Sequence, residues 1–113
     1  MIERCAFGHM VIDGTPYRSD LIIYPDGKVI DGWRRRKGHR LCFEDVGDLV
    51  ESAPEVIVAG TGMSGLVIPE KELEGEMSRR GIKFMASPNE KAAELYNQLS
   101  AAKKVGACFH LAC

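Results

Sequence analysis

Between Gly60 and Gly65 the chain reads Gly-Thr-Gly-Met-Ser-Gly, three glycines and two hydroxyls within six positions. Glycine lets a backbone turn sharply and lets other atoms approach it closely. The preceding Val56-Ile57-Val58-Ala59 is apolar without alternation, which suits a strand buried on both faces. A strand that enters a glycine loop and leaves as a helix can present free amides to an anion. Gly60, Thr61, Gly62, Met63, Ser64 and Gly65 are therefore the first candidate ligand-binding residues. The loop is no P-loop, because no Gly-Lys-Ser or Gly-Lys-Thr follows it. Gly60, Gly62 and Gly65 match GxGxxG on spacing alone. The clear helical signal begins only at Pro69, however, and Ile82-Lys83-Phe84-Met85-Ala86 has no acidic residue to hold a ribose. A small anion fits better than a nucleotide. The plainer alternative is a tight strand-to-helix crossover that needs glycine for geometry alone.

Two other stretches could complete such a site. Arg34-Arg35-Arg36-Lys37-Gly38-His39-Arg40 concentrates positive charge, and arginine offers forked donors to carboxylate or phosphate. It reads equally as a solvated loop, since no periodicity assigns its charges to one face. His110 lies near the end of a final apolar run, where open α/β sheets gather ligands. A pocket walled by the 60–65 loop, Arg34 and His39, with His110 at its floor, is the composite site to test. Cys108 and His110 share a strand face, but side chains two apart are separated by roughly 7 Å, too far for a direct thiol–imidazole bond. Neither His9, His39, His110 nor the four cysteines show metal-ligand spacing, so no metal or cofactor is expected. Trp33 beside Arg34 reads as a core anchor, and no carboxylate pair is set up for acid–base work.

Composition narrows the classes further. A chain of 113 residues, 45% hydrophobic and 27% charged, is one ordinary globular domain. A net charge of -1 argues against a general nucleic-acid binder. No apolar run reaches the roughly 18 residues of a membrane span, and there is no signal-peptide pattern. A soluble cytoplasmic protein with reduced thiols is the expectation.

The elements that must position these residues follow from pattern. Phe7–Asp13 reads as a strand ending in a turn, with Thr15–Tyr17 an extended link. Residues 21–34 read as a hairpin around Pro25-Asp26-Gly27. Residues 43–53 have helical spacing. A helix over 69–80 is marked by Pro69, early glutamates, late arginines and Gly81. Ser87-Pro88-Asn89-Glu90 has the form of a capping box before a helix running to about Lys104. With strands at 82–86 and 105–112, residues 55–112 hold two βαβ units, which cross over right-handedly into a parallel sheet. The expected fold is a single layered α/β domain over 1–113. Its parallel βαβαβ sheet carries helices on one face and the N-terminal strands and hairpin (1–40) on the other.

Four segments then resemble the Mth-type domain family, which includes an adipogenesis-associated protein and a mitochondrial complex I assembly factor. They are Tyr24-Pro25-Asp26-Gly27 with Val29, Trp33-Arg34 and Gly38-His39; Val56 to Ser64; Ala93 to Leu99; and Cys108 to Cys113. The resemblance implies the layered fold and no established enzymatic activity. Its implied role is an interaction or assembly module, binding a partner protein or a second copy. A small-ligand or anion-binding protein or enzyme using the composite pocket is the alternative.

Overall fold

The computed structural model describes residues 1–112. Three strands open the chain as an antiparallel meander: β1 (Ile2–Ala6), β2 (His9–Ile12) and β3 (Thr15–Tyr17). The expected strand over 7–13 is β2, entered through a turn at Phe7-Gly8; β1 ahead of it was not expected, and the link at 15–17 is the third strand. Next come β4 (Leu21–Ile23) and β5 (Val29–Asp31), the expected hairpin, then β6 (Arg40–Leu41). A 3-10 turn over Phe43–Val46 leads into α1 (Gly47–Glu51). The chain continues through β7 (Val56–Gly60), β8 (Ile68–Pro69), α2 (Lys71–Arg79), β9 (Lys83–Ser87), α3 (Asn89–Ser100) and β10 (Val105–Phe109).

The main sheet has the order β5-β4-β10-β7-β9. β7 pairs in parallel with β10 on one side and with β9 on the other, as the two βαβ patterns require. Every residue of β7 and β10 is buried, which explains runs without alternation. β4 closes the free edge of β10 in antiparallel register, Ala107 opposite Ile23 and Phe109 opposite Leu21.

Alternation along the strands divides the core in two. Val56, Val58, Ala107 and Phe109 face the meander, through Met10 and Ile12, and α3, through Ala92 and Tyr96. Ile57, Ala59 and Cys108 face α1 through Leu49 and α2 through Leu73 and Met77. This corrects the expected layering. The helices lie on both faces, the hairpin belongs to the sheet, and the meander shares its face with α3. Handedness explains it. The step from β7 to β9 moves outward and the step from β9 to β10 moves back past β7. Right-handed crossovers in opposite directions leave their helices on opposite faces.

Two local signals were outvoted by strand pairing. Pro69 sits in β8, where Ile68 pairs with Arg40 and the Ile68 amide donates to the His39 carbonyl at 2.8 Å, so α2 starts only at Lys71. Ser87 stays in β9 opposite Gly60, and its carbonyl accepts the Thr61 amide at 2.9 Å. The residue before α3 is Pro88, and no side-chain cap forms there. No helix among the described residues is long and apolar enough to cross a membrane.

Candidate functional site

The glycine loop leaves β7 at the C-terminal end of the parallel strands and is held from inside. A Cβ on Gly60 would fall into the Phe109 ring and lie 2.5 Å from Asn89 Oδ1. Only glycine fits that approach. Gly62 and Gly65 adopt φ of +108° and +71°, the left-handed region that glycine enters without strain. Asn89, fully buried in the first turn of α3, acts as a clamp. Its Oδ1 accepts the Gly62 amide at 3.0 Å and its Nδ2 donates to the His110 carbonyl at 2.7 Å. The Asn89 amide in turn donates to the Gly62 carbonyl at 3.0 Å. One side chain thus joins the loop, α3 and the end of β10.

The same bonds decide what the loop can do. The amides of Thr61, Gly62, Met63 and Gly65 donate to the Ser87 carbonyl, Asn89 Oδ1, the Ala112 carbonyl and the Gly62 carbonyl. An anion nest needs such amides turned outward. Here four of them already have partners within the chain, and Ser64 is the exposed polar residue of the loop.

A second polar cluster lies beside it. His110 Nδ1 is 2.8 Å from Asp20 Oδ2, and the Leu111 amide donates to Asp20 Oδ1 at 2.9 Å. Arg35 Nη1 donates to Asp20 Oδ2 at 2.9 Å, while its Nε and Nη2 reach the Gly38 carbonyl at 3.2 and 2.7 Å. The Arg35 guanidinium also stands 5.8 Å from the Trp33 ring centroid. Burial alone would raise the Asp20 pKa. The bonds from His110, the Leu111 amide and Arg35 outweigh it and hold the carboxyl below its ordinary value. A carboxylate only accepts, so the proton of the His110–Asp20 bond belongs to Nδ1. Nε2 is buried and has no hydrogen-bond partner among the described residues. An aspartate–histidine pair of this kind can orient a base, but its outer nitrogen is sealed from solvent.

Of the residues singled out from sequence, the fold brings together the loop and His110, whose amide donates to the Gly60 carbonyl at 3.1 Å. Arg34 is exposed, and its neighbour Arg35 is the arginine that turns inward. His39 is exposed, and its carbonyl pairs with Ile68, just beyond the loop. Lys37 and Arg40 bind Glu70 at 3.2 and 3.0 Å and keep its carboxyl below the usual range. Cys108 is fully buried, and burial pushes its thiol up to about 12, so no thiolate forms beside His110 at neutral pH. Burial, reinforced by Asp45, pushes Cys42 up to about 11.

Sequence reasoning missed Asp20, Arg35 and Asn89. Asn89 was visible only as the third letter of an apparent capping box. Asp20, one residue ahead of β4, carries no local signal, since its partners lie 15 and 90 residues away.

Comparison with known proteins gives this geometry its relatives. Residues 2–110 match the family model described as protein of unknown function (DUF498/DUF598). The conserved hypothetical protein PH1505 from Pyrococcus horikoshii OT3 superposes with a TM-score of 0.87 at 25% identity, covering 100% of this chain and 99% of that one. MT938 superposes at 0.83 with 28% identity, over 100% and 98%. A Mth938-like domain from Bordetella pertussis shares the fold at 0.64 with 16% identity, over 98% and 85%. The resemblance to Mth-type domains read from four sequence segments therefore holds over the whole chain.

Proposed function

The chain belongs to the DUF498/DUF598 family of Mth-type domains, and from that premise we propose that it is an interaction module working in the cytoplasm. Its docking surface is the rim at the C-terminal end of the parallel strands. One observation carries this: Leu66 and Ile68, 51% and 60% exposed, stand directly beyond a loop whose amides are largely engaged. Neighbouring large apolar side chains held outward form the kind of surface that a partner protein covers. Ile68 lies opposite Arg40, and the two line one shallow cleft with Lys37. The β1–β2 turn brings Phe7, 70% exposed, to the same end, because the Gly8 amide donates to the Leu111 carbonyl at 2.8 Å. The cleft beside this patch balances Lys37, Arg40 and Lys71 against Glu70, Glu72 and Glu74, so the surface suits a partner protein whose docking segment is apolar with a polar margin of mixed charge. The free thiols of Cys5, Cys42 and Cys108 are consistent with a reducing compartment.

The test is site-specific photo-crosslinking in the producing cell, with p-benzoylphenylalanine at position 66 or, as a control, at exposed Ser78 on α2. A discrete heavier adduct from position 66, lost when Ile68→Asp and Arg40→Glu are added, is the expected result. An adduct of twice the chain mass would identify the partner as a second copy. Equal labelling from positions 66 and 78 would remove the rim as a docking surface. The other reading, an anion on the loop beside Arg34, His39 and His110, would rest on Ser64 with few free amides. At low millimolar concentration, below the range where sulfate stabilises folded proteins generally, sulfate should therefore raise the melting temperature no more than chloride of equal ionic strength.

A further inference from the structure

At the opposite end of the sheet is a cleft of about 580 Å³, within the size range of small-molecule sites. It exists because α1 ends early. Ile22 and Ile30 are register partners on β4 and β5. Ile22 is buried among the core residues beneath α1, whereas Ile30 remains 41% exposed. The helix stops at Glu51, and its C-cap Ser52 forms one wall of the space left uncovered. Tyr24 and Pro25 continue the apolar floor beside Ile30.

All three walls are fixed by their backbones. The hairpin turn is held by Tyr24 and Lys28, whose amide and carbonyl meet at 2.8 Å, and by Asp26 Oδ1, which accepts the Lys28 amide at 2.9 Å. The Ser52 amide donates to the Asp48 and Leu49 carbonyls. The Lys104 amide donates to Glu55 Oε2 at 2.8 Å, and its carbonyl accepts the Glu55 amide at 2.8 Å. Onto this frame Lys28 and Lys104 bring two ammonium groups without ion-pair partners among the described residues. Burial, with Asp48 nearby, pushes the Tyr24 phenol up, so its hydroxyl stays a donor at neutral pH. The one acidic residue of the lining, Asp26, directs a carboxylate oxygen into its own turn.

We propose that this cleft binds a small amphipathic carboxylate, an aromatic or medium-chain acyl acid. Its tail lies over Tyr24, Pro25 and Ile30, and its carboxylate sits between Lys28 and Lys104. The rim at the other end of the sheet takes no part, so this site stands or falls independently of the docking surface.

Octanoate is the probe, titrated into 15N-labelled protein and followed by amide chemical shifts, with octanol and octylamine as matched controls. The expected result is saturable shifts confined to residues 24, 26–30, 52 and 104, with octanoate the tightest of the three. Lys28→Glu with Lys104→Glu should weaken octanoate about tenfold or more. Both lysines are exposed, so a dispersed spectrum of the variant will show that the fold is intact. Ile30→Asn should weaken the shifts by removing the apolar floor without adding a charge. Octylamine binding as tightly as octanoate, unchanged affinity in the double variant, or no saturable shift would each overturn the proposal.

Discussion

Replacing Asn89 by alanine tests the clamp most directly. The substitution removes the acceptor of the Gly62 amide and the donor to the His110 carbonyl, at a residue with no exposed surface. A buried polar group left without its partner costs about 1–3 kcal/mol. Two such groups give roughly 2–6 kcal/mol, a large part of the roughly 5–15 kcal/mol by which domains are usually stable. Asn89→Asp is the sharper variant. It keeps an acceptor for Gly62 but sets an oxygen against the His110 carbonyl where a donor stood, so it should cost at least as much as alanine. Equilibrium urea denaturation measures both, with an unchanged slope confirming that the same surface unfolds. Ser87→Ala is the matched comparison. Its side chain makes no cap, so the variant should stay within about 0.5 kcal/mol of the parent. If alanine at 89 costs under about 1 kcal/mol, or aspartate costs less than alanine, the clamp does not hold the loop. A larger loss at Ser87 than at Asn89 would restore the capping box in its place.

Three further outcomes follow from other contacts. Gly60→Ala, whose Cβ would meet the Phe109 ring and Asn89 Oδ1, should destabilise by about 1–3 kcal/mol or more, read from the urea midpoint. Gly75→Ala, in the exposed middle of α2 with nothing within 4 Å of the added carbon, should stabilise by roughly 0.8–1 kcal/mol in the same assay. Asp20→Asn should change the acid limb of the stability curve. The Asp20 pKa is lowered in the fold, so its contribution is complete above the unfolded value near 3.9 and is lost as pH falls through the lower folded value. Urea midpoints of parent and variant should therefore differ most above about pH 4 and converge below it. A constant difference across that range would show that Asp20 is not the titrating group.

What could be read from the chain in advance was what its local pattern encodes. The strands β7, β9 and β10 announced themselves as apolar runs bounded by turns, and the Pro25-Asp26-Gly27 hairpin by its turn chemistry. β1 did not, because Ile2-Glu3-Arg4-Cys5-Ala6 buries only Ile2 and exposes its charges. The site was legible only as far as the loop and His110. Asp20, Arg35 and Asn89 act through partners distant in sequence, and no periodicity records such pairings. At Ser87 the local signal was present but lost to tertiary demand, since the residue is held in β9 opposite Gly60 and its carbonyl serves the loop.

The layering went wrong for a reason that the residues themselves contain. Two successive βαβ units can place their strands in chain order, β7-β9-β10, which puts both helices on one face. Alternatively the last strand can return to the inner side of the first, which puts the helices on opposite faces. Strand composition decides between them. β10, Val-Gly-Ala-Cys-Phe, has no charged residue and is buried throughout, whereas β9 begins with an exposed lysine and keeps no fully buried position. A strand without charge belongs at the centre of a sheet, where both edges are paired. A strand carrying lysine belongs at the edge, where the charge discourages pairing with another chain. Putting β10 inside and β9 outside fixes the order β10-β7-β9, and right-handed crossover then separates α2 from α3. The free edge of β10 is left for β4, whose Leu-Ile-Ile is buried at every position, as a strand between two partners requires. Asp20 stands one residue before β4, opposite the end of β10. The strand order that placed the helices is therefore also what brings Asp20 to His110.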